Sequence, residues 1–380
     1  MKESSPQFTM NTTIGAPKND ETMEAFFNKL DEIESQAKMR VDYNDVKHLR
    51  KLESWCNWIY LIGLGTAWVY INPISIYLIS QAKFSRWTCM AHHVLHGAYD
   101  KIEGVPNRLT SRKFAKGIRR GYDWFDWIIP TEWSYEHNLL HHYHLGENSD
   151  PDQVENNLEW LREKKYPTFI KWCIVLVLAC TWKFIYYNSN TILEDFKKKS
   201  GDESLQLSSK YIWNPIYPPA RRLLFFSILP YLTFNFVLLP ALFFVFSKSA
   251  GYNVLVSMII AEILTNVHSF VMIVTNHAGN DIFRFEKKLS GKKEFMIRQI
   301  IGSTNYTTGG DKNDFFHGFL NYQIEHHLWP KMTMRQYQWV QPQVKKLCKE
   351  YGVLYTQESF IRRIKKTVDI MIGVETMKAA

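Results

Sequence analysis

Glu136–Glu147, EHNLLHHYHLGE, holds four of the chain's thirteen histidines. Imidazole is neutral near pH 7, and its free nitrogen binds iron, zinc or copper without adding charge. A helix turns once in 3.6 residues, so His137, His141 and His142 can point to one side. His144 lies off that face, two residues beyond His142. Two further clusters follow the same logic: His92-His93-Val94-Leu95-His96 and Gln323-Ile324-Glu325-His326-His327. Spacing lets either His92 or His93 share a face with His96. Three clusters separated by hydrophobic stretches imply imidazoles gathered around metal. So many histidines exceed what one ion takes, whereas two ions with about four or five nitrogens each would use them. Zinc sites take about four ligands in total, so abundant histidine without cysteine points to a redox pair, iron, able to activate O₂. His48, His268 and His317 stand alone and read as core or surface residues.

The segments between the clusters must bring them together. Trp55–Ala82 is apolar and is broken by Asn72-Pro73, a turn signal that also removes a backbone donor. Arg222–Phe246 and Tyr252–Asn276 are apolar and are joined by the short link Ser247–Gly251. The expected fold is an all-α integral membrane protein. Four spans, about 55–71, 74–91, 222–246 and 252–276, form two hairpins below a cytosolic helical cap that holds the dimetal site. Thr168–Tyr187 is also apolar, but the run between Lys171 and Lys183 is too short to span and is expected to lie along the interface. Parity agrees, because a fifth span would put the first two clusters opposite the third. Residues 1–54 read as a polar tail, disordered over Met1–Thr22, with a lead-in helix; 55–380 form one domain. The hairpin turns hold only Lys248, while Lys83, Arg86, Arg221 and Arg222 flank the other side. By the positive-inside tendency the clusters face the cytosol, and the endoplasmic reticulum is the expected membrane.

The composition sets limits on the partners. Of 380 residues 46% are hydrophobic and 15% aromatic, and the formal charge is +9. A mean hydropathy of -0.26 is low for a protein that is all membrane, so a few spans must carry a large polar body. The charge suits anionic cytoplasmic lipid. No compact basic stripe with stacking aromatics accompanies it, so nucleic acid is not an expected partner. Five cysteines without a CxxC pair argue against a disulfide scaffold and a thiolate metal site. The polar N-terminus has no apolar core of a signal peptide.

HHVLH, HNLLHH and NYQIEHHLWP resemble the three histidine boxes of the membrane fatty acid desaturase family. QIEHH followed by LWP is similar to the third box of front-end and sphingolipid desaturases, which have glutamine where other members have a first histidine. The resemblance extends over roughly Trp55–Phe360, with TNHAG at the end of the last span and LCKEYGVLY near the C-terminus. It implies His92, His96, His137, His141, His142, His277, His326 and His327 as ligands of two iron ions, Fe²⁺, with Gln323 as a ninth or more distant ligand. Two departures stand out: His93 occupies a position where box one usually has Asp or Glu, and box two has three residues between His137 and His141 instead of two. Asp100, Glu136 and Glu325 are candidates to orient ligands. The implied reaction is O₂-dependent removal of two hydrogens from a lipid acyl chain, with electrons from outside. No His-Pro-Gly-Gly haem motif occurs here, so a separate cytochrome b5-type donor and reductase are expected. The same metals could serve a hydroxylase acting on a sterol, alkane or sphingoid chain. A non-enzymatic metal transporter or sensor would need more ionisable groups in the spans than Glu262 and His268. Of the two histidines near the last span, His268 has apolar neighbours and should sit within the bilayer. His277 follows the apolar run directly and should lie at the level of the boxes.

Overall fold

The computed structural model describes residues 20–202, 204–206, 210–287 and 289–380. The expected disorder of Met1–Thr22 lies, up to residue 19, outside them. The chain is mostly helical. Helix α1 (Asp20–Met39) is followed by α2 (Tyr43–Ala67), whose start is fixed by a capping box between Asp42 and Asp45. The lead-in region is therefore two helices, and α1 buries Phe26, Phe27 and Leu30 against α10, defined below. The link 68–72 turns the chain back into α3 (73–95), where the Asn72 side chain accepts from Ser75 N and Pro73 takes the first turn. Helix α4 (130–144) carries box two. Helix α5 is Thr168–Ser200, α6 is Lys210–Phe244 and α7 is Lys248–Val274. The remaining main helices are α8 (Lys292–Ile301), α9 (Gln323–Leu328), α10 (Met334–Tyr351) and α11 (Phe360–Met371). One pair of two-residue parallel strands, Phe283–Arg284 with Lys378–Ala379, is the exception to the all-α expectation.

Among the described residues three helices are long and apolar enough to cross a membrane: α5, α6 and α7. This differs from the four expected spans in two ways. Helix α2 begins with the polar turns Tyr43–Lys51, and α3 carries Lys83 and Arg86, so neither meets the criterion. Helix α5 qualifies because its apolar stretch, Thr168–Tyr187, is 20 residues long and holds only two charges, Lys171 and Lys183. The two lysines of that stretch are not free, however. Lys171 Nζ donates to the carbonyls of Arg162 (2.9 Å) and Ile372 (2.8 Å), and Lys183 Nζ pairs with Asp126 at 2.6 Å.

The two helix pairs lie side by side. Helix α3 packs on both α2 and α7, and α6 packs on α7. The turns at their far ends meet: Asn253 donates to the carbonyls of Trp68 (3.0 Å) and Val69 (3.2 Å). Between the helices Lys83 pairs with Glu262 at 2.8 Å, and Tyr231 and Trp127 donate to the same carboxylate. Both charges are thus paired, as burial among helices demands. The opposite ends of α3 and α7 enter the polar body, whose main core runs from Phe26 to Met377.

Candidate metal centre

Two of the histidine-bearing helices leave α-helical geometry just where they carry ligands. Arg86–His92 in α3 and Glu136–His141 in α4 are π-helical, with wider turns than an α-helix. In α4 the His142 amide bonds back to the His137 carbonyl, five residues earlier. His137 and His142 therefore share a face, with ring nitrogens 3.3 Å apart. His141, which a 3.6-residue period aligns with His137, turns its ligand nitrogen elsewhere.

Eight histidines fall into two groups. His92, His96, His137, His142 and His326 bring one nitrogen each within 4.8 Å of one another; His141, His277 and His327 do the same. The groups adjoin, since the His142 and His327 rings are 4.5 Å apart. Box one serves the first group, while boxes two and three divide between both. The Gln323 amide lies 3.1 Å from the Nε2 atoms of both His277 and His327, so it belongs to the smaller group. Asn276 Nδ2 also contacts its oxygen at 3.3 Å. Turning the amide so that its oxygen faces the imidazoles would give up this bond.

The donor sets fit metal ions. A metal–nitrogen distance of about 2.1 Å places neighbouring ligands ~3.0 Å apart and opposite ones ~4.2 Å apart. His92 and His137 nitrogens stand 3.0 Å apart. The Nε2 atoms of His96 and His326 are buried without a hydrogen-bond partner. Neutral imidazoles that face one another cannot satisfy every lone pair, whereas a cation can. Burial pushes His92 down to about 3, and burial with neighbouring imidazoles holds His96, His137, His142, His326 and His327 well below their usual range. Their lone pairs stay available at neutral pH.

Three imidazoles are oriented from behind. His141 Nδ1 donates to Asp150 at 2.9 Å, His327 Nδ1 to Gln299 at 3.1 Å and His326 Nδ1 to the Tyr337 hydroxyl at 3.2 Å. Tyr337 in turn donates to the Trp329 carbonyl, which leaves its oxygen free to accept. Burial opposes protonation of His141, but Asp150 and then Asp152 outweigh it and raise its pKa. Carboxylates in this position make a ligand more basic.

None of the three carboxylates expected in that role bonds a ligand ring. Asp100 accepts from Ser111, Glu136 from Tyr187, and Glu325 from Asn305 and Tyr355. Asp150, Gln299 and Tyr337 take the role instead; only Asp150, in the Asp-Pro-Asp turn just after box two, was near enough in sequence to be noticed. The remaining histidines lie outside both groups. His93 packs between Phe319, Tyr337 and His326, with ring centroids 5.7–6.5 Å away. His144 bonds Glu147, His48 bonds Asp311, and His317 donates to the Asn313 carbonyl. His268 stacks on Phe84 at 4.0 Å, within α7.

The end of α7 is clamped. Arg363 of α11, fully buried, donates to the carbonyls of Thr275 (3.2 Å) and Ala278 (2.8 Å) on either side of His277, and pairs with Asp281. Next to His277 is an apolar cavity of about 130 Å³ lined by Leu178, Trp182, Phe270, Ile273, Val274 and Met371.

A family model described as fatty acid desaturase matches residues 66–359. The chain is 25% identical over 289 residues to the NADPH-dependent stearoyl-CoA 9-desaturase of Mycobacterium tuberculosis, covering 73% of this chain and 61% of that protein. It is 23% identical over 278 residues to the sn-1 linoleoyl-lipid 6-desaturase of Arthrospira platensis, covering 70% and 67%. To the probable Delta(5) fatty acid desaturase C of Dictyostelium discoideum it is 22% identical over 325 residues, covering 80% and 64%. The chain thus spans about three fifths of the length of the first of these. No solved structure matches.

Proposed function

This chain belongs to the fatty acid desaturase family, and from that premise we propose that it introduces a double bond into the acyl chain of a lipid. The observation that carries the reading is the convergence of eight histidines into groups of five and three beside an apolar cavity. His92, His96, His137, His142 and His326 would hold one iron; His141, His277, His327 and Gln323 would hold the other. The pair, when bound, supplies activation of O₂ and oxidation of an unactivated C–H bond.

The remaining tasks fall to the protein. Asp150, Gln299 and Tyr337 fix three imidazoles so that Nε2 faces inward. Arg363 holds the backbone on either side of His277, which lines the cavity. Leu178, Trp182, Phe270, Ile273 and Val274 admit methylenes and exclude water, which keeps the oxidation on the substrate. The cavity adjoins His277 of the smaller group, so an acyl chain seated there would face the donor set with fewer protein ligands.

The membrane reading has α2, α3, α6 and α7 crossing in two hairpins, with the histidine-bearing body on the cytosolic face of the endoplasmic reticulum. Arg222 supports this, because it bonds Glu132 of the polar body at 2.7 Å. The far turns carry only Lys248. Helix α5 lies along the body. Electrons come from a cytochrome b5-type protein and its reductase, outside these 380 residues.

Lipid profiles of a host with and without the gene test the function. New double bonds are expected, and they are lost in His142→Ala and His327→Ala with the protein still in the membrane. New hydroxyls without new double bonds, or full activity in either variant, would overturn the reading.

A further inference from the structure

The five-histidine group has an oxidisable neighbour. The Trp133 ring stacks on His137, with centroids 4.7 Å and planes 19° apart, and meets His92 edge-on at 5.8 Å. Its indole N–H donates to the Tyr187 hydroxyl at 3.0 Å, and Tyr187 donates to Glu136 at 3.4 Å. All three side chains are buried.

From Trp133 aromatic rings run outward along two arms. Trp124 is 6.0 Å away and lines a cleft of about 430 Å³ that includes the exposed Tyr122. Tyr187 stacks on Trp182 at 4.8 Å and 20°, and Trp182 lines the cavity beside His277. Trp87 lies between the arms, 6.4 Å from Trp124 and 6.2 Å from Trp182. The Lys183 ammonium sits 5.2 Å over the Trp87 ring. A cation there is attracted to the intact ring and repelled by an electron-deficient one, an effect that Asp126 partly offsets. The outer ends of the arms are therefore the better resting places for an electron hole.

We propose that Trp133 and Tyr187 form an escape route that returns an electron to the activated metal centre when no acyl chain is present to be oxidised. The proposal rests on the dimetal reading above. Trp133 loses one electron, and the centre, oxidised by O₂, gains it. The Tyr187 oxygen, which accepts from the indole N–H at 3.0 Å, stabilises the positive charge this leaves on Trp133. An electron from Trp124, or from Trp182 by way of Tyr187, then refills Trp133. The outer indole, a radical cation that keeps its N–H, takes one electron from a small thiol in the cleft or cavity; the thiol proton goes to water, and two of the resulting thiyl radicals join as one disulfide. Trp133 and Tyr187 thus protect the imidazoles rather than take part in desaturation.

The test uses the full-length iron-loaded protein, reduced, mixed with O₂ without acyl lipid, and frozen. Iron content and desaturation of an acyl lipid are measured on the same preparation. An organic radical is expected by electron paramagnetic resonance, and its spectrum narrows when the tryptophans are ring-deuterated. After many cycles without thiol, mass spectrometry should find oxidised Trp124 or Trp182. Trp133→Phe keeps its iron, the radical falls by an order of magnitude, and oxidation of His92 and His137 rises. Tyr187→Phe keeps every ring but removes the oxygen that accepts from the Trp133 N–H and stabilises its positive charge, so the radical falls likewise; it carries the test if Trp133→Phe does not fold. An unchanged radical in iron-loaded variants overturns the relay. A wild-type protein that holds iron and desaturates lipid but yields no tryptophan radical sinks the relay alone, whereas one that holds no iron sinks the dimetal reading as well.

Discussion

His277 and His268 lie nine residues apart near one end of α7, about 13 Å along a helix, so only one can reach the other imidazoles. His277 sits 4.7 Å ring to ring from His141, while His268 stacks on Phe84. We expect His277→Lys and His277→Gln to lose about half of the bound iron and all activity, and His268→Phe to keep both. An ammonium has no lone pair, so wild-type iron in His277→Lys would make His277 a mere helix cap. Arg363→Ala should be as damaging from a distance. It takes a charged donor from the Thr275 and Ala278 carbonyls beside His277 and leaves Asp281 to Lys366 alone, and loss of hydrogen bonds to a charged group costs about 1.5–3 kcal/mol. Thermal unfolding and iron content check it; unaltered values would show the clamp to be dispensable. Burial raises the Asp281 pKa, but Arg363 and Lys366 outweigh it and hold it low. Its stabilisation is therefore present above the ordinary carboxylate range and fades as pH falls through the depressed value, an acid sensitivity that Arg363→Ala should reduce. All eight histidines named from sequence are brought together, because three clusters between apolar runs leave little else for imidazoles to do. Their division was not legible. It depends on the π-helical turn that pairs His137 with His142, and 3.6-residue counting puts His141 there instead. Gln299 and Tyr337 were not legible either, since nothing local marks a glutamine or tyrosine that meets its histidine only in the fold.

At the level of the helices, α5 is where length and contact pull apart. At 33 residues it is long enough to span. Yet Lys171 and Lys183, which are twelve residues or about 18 Å apart, both bond the polar body, and the hydrocarbon layer is about 30 Å thick. A helix held to one body at both points runs along it. Tags at Lys164 and Gly201 should therefore report the same side of the membrane as tags in Asp100–Gly121 and at residue 380. A tag at Lys248 should report the other. If Lys164 and Gly201 fall on opposite sides, α5 crosses and the pairing of spans must be redrawn. The sequence showed the apolar run and its flanking lysines. It did not show that Asp126 and the Ile372 carbonyl, from distant segments, would receive them. The turn at Asn72-Pro73 was legible because an Asx side chain and a proline act within three residues. The extra helix α1 had no motif, only an apolar stripe that needs α10 to cover it.

For the whole molecule, on the dimetal reading proposed above, metal would be a structural tie as well as a reagent. The larger group joins α3, α4 and α9; the smaller joins α4, α9 and the loop after α7. Without ions, buried ring nitrogens stay unsatisfied, at about 1–3 kcal/mol each. Five protein nitrogens nearly fill the shell of one ion, whereas three with one amide leave the other exposed to the cavity. We therefore expect chelation to remove iron in two steps, the first from the side of His277 and His327. A site saturated a thousandfold above its dissociation constant adds about 4 kcal/mol. At about 2–4 °C per kcal/mol for a large domain, removal of the tighter iron should lower Tm by roughly 10 °C. His327→Ala should abolish the first step and leave the second, while His142→Ala should weaken the second. Release of both irons in one step from wild type, or a Tm indifferent to chelator, would mean that the two groups do not act as separate sites and that the fold closes around them without help.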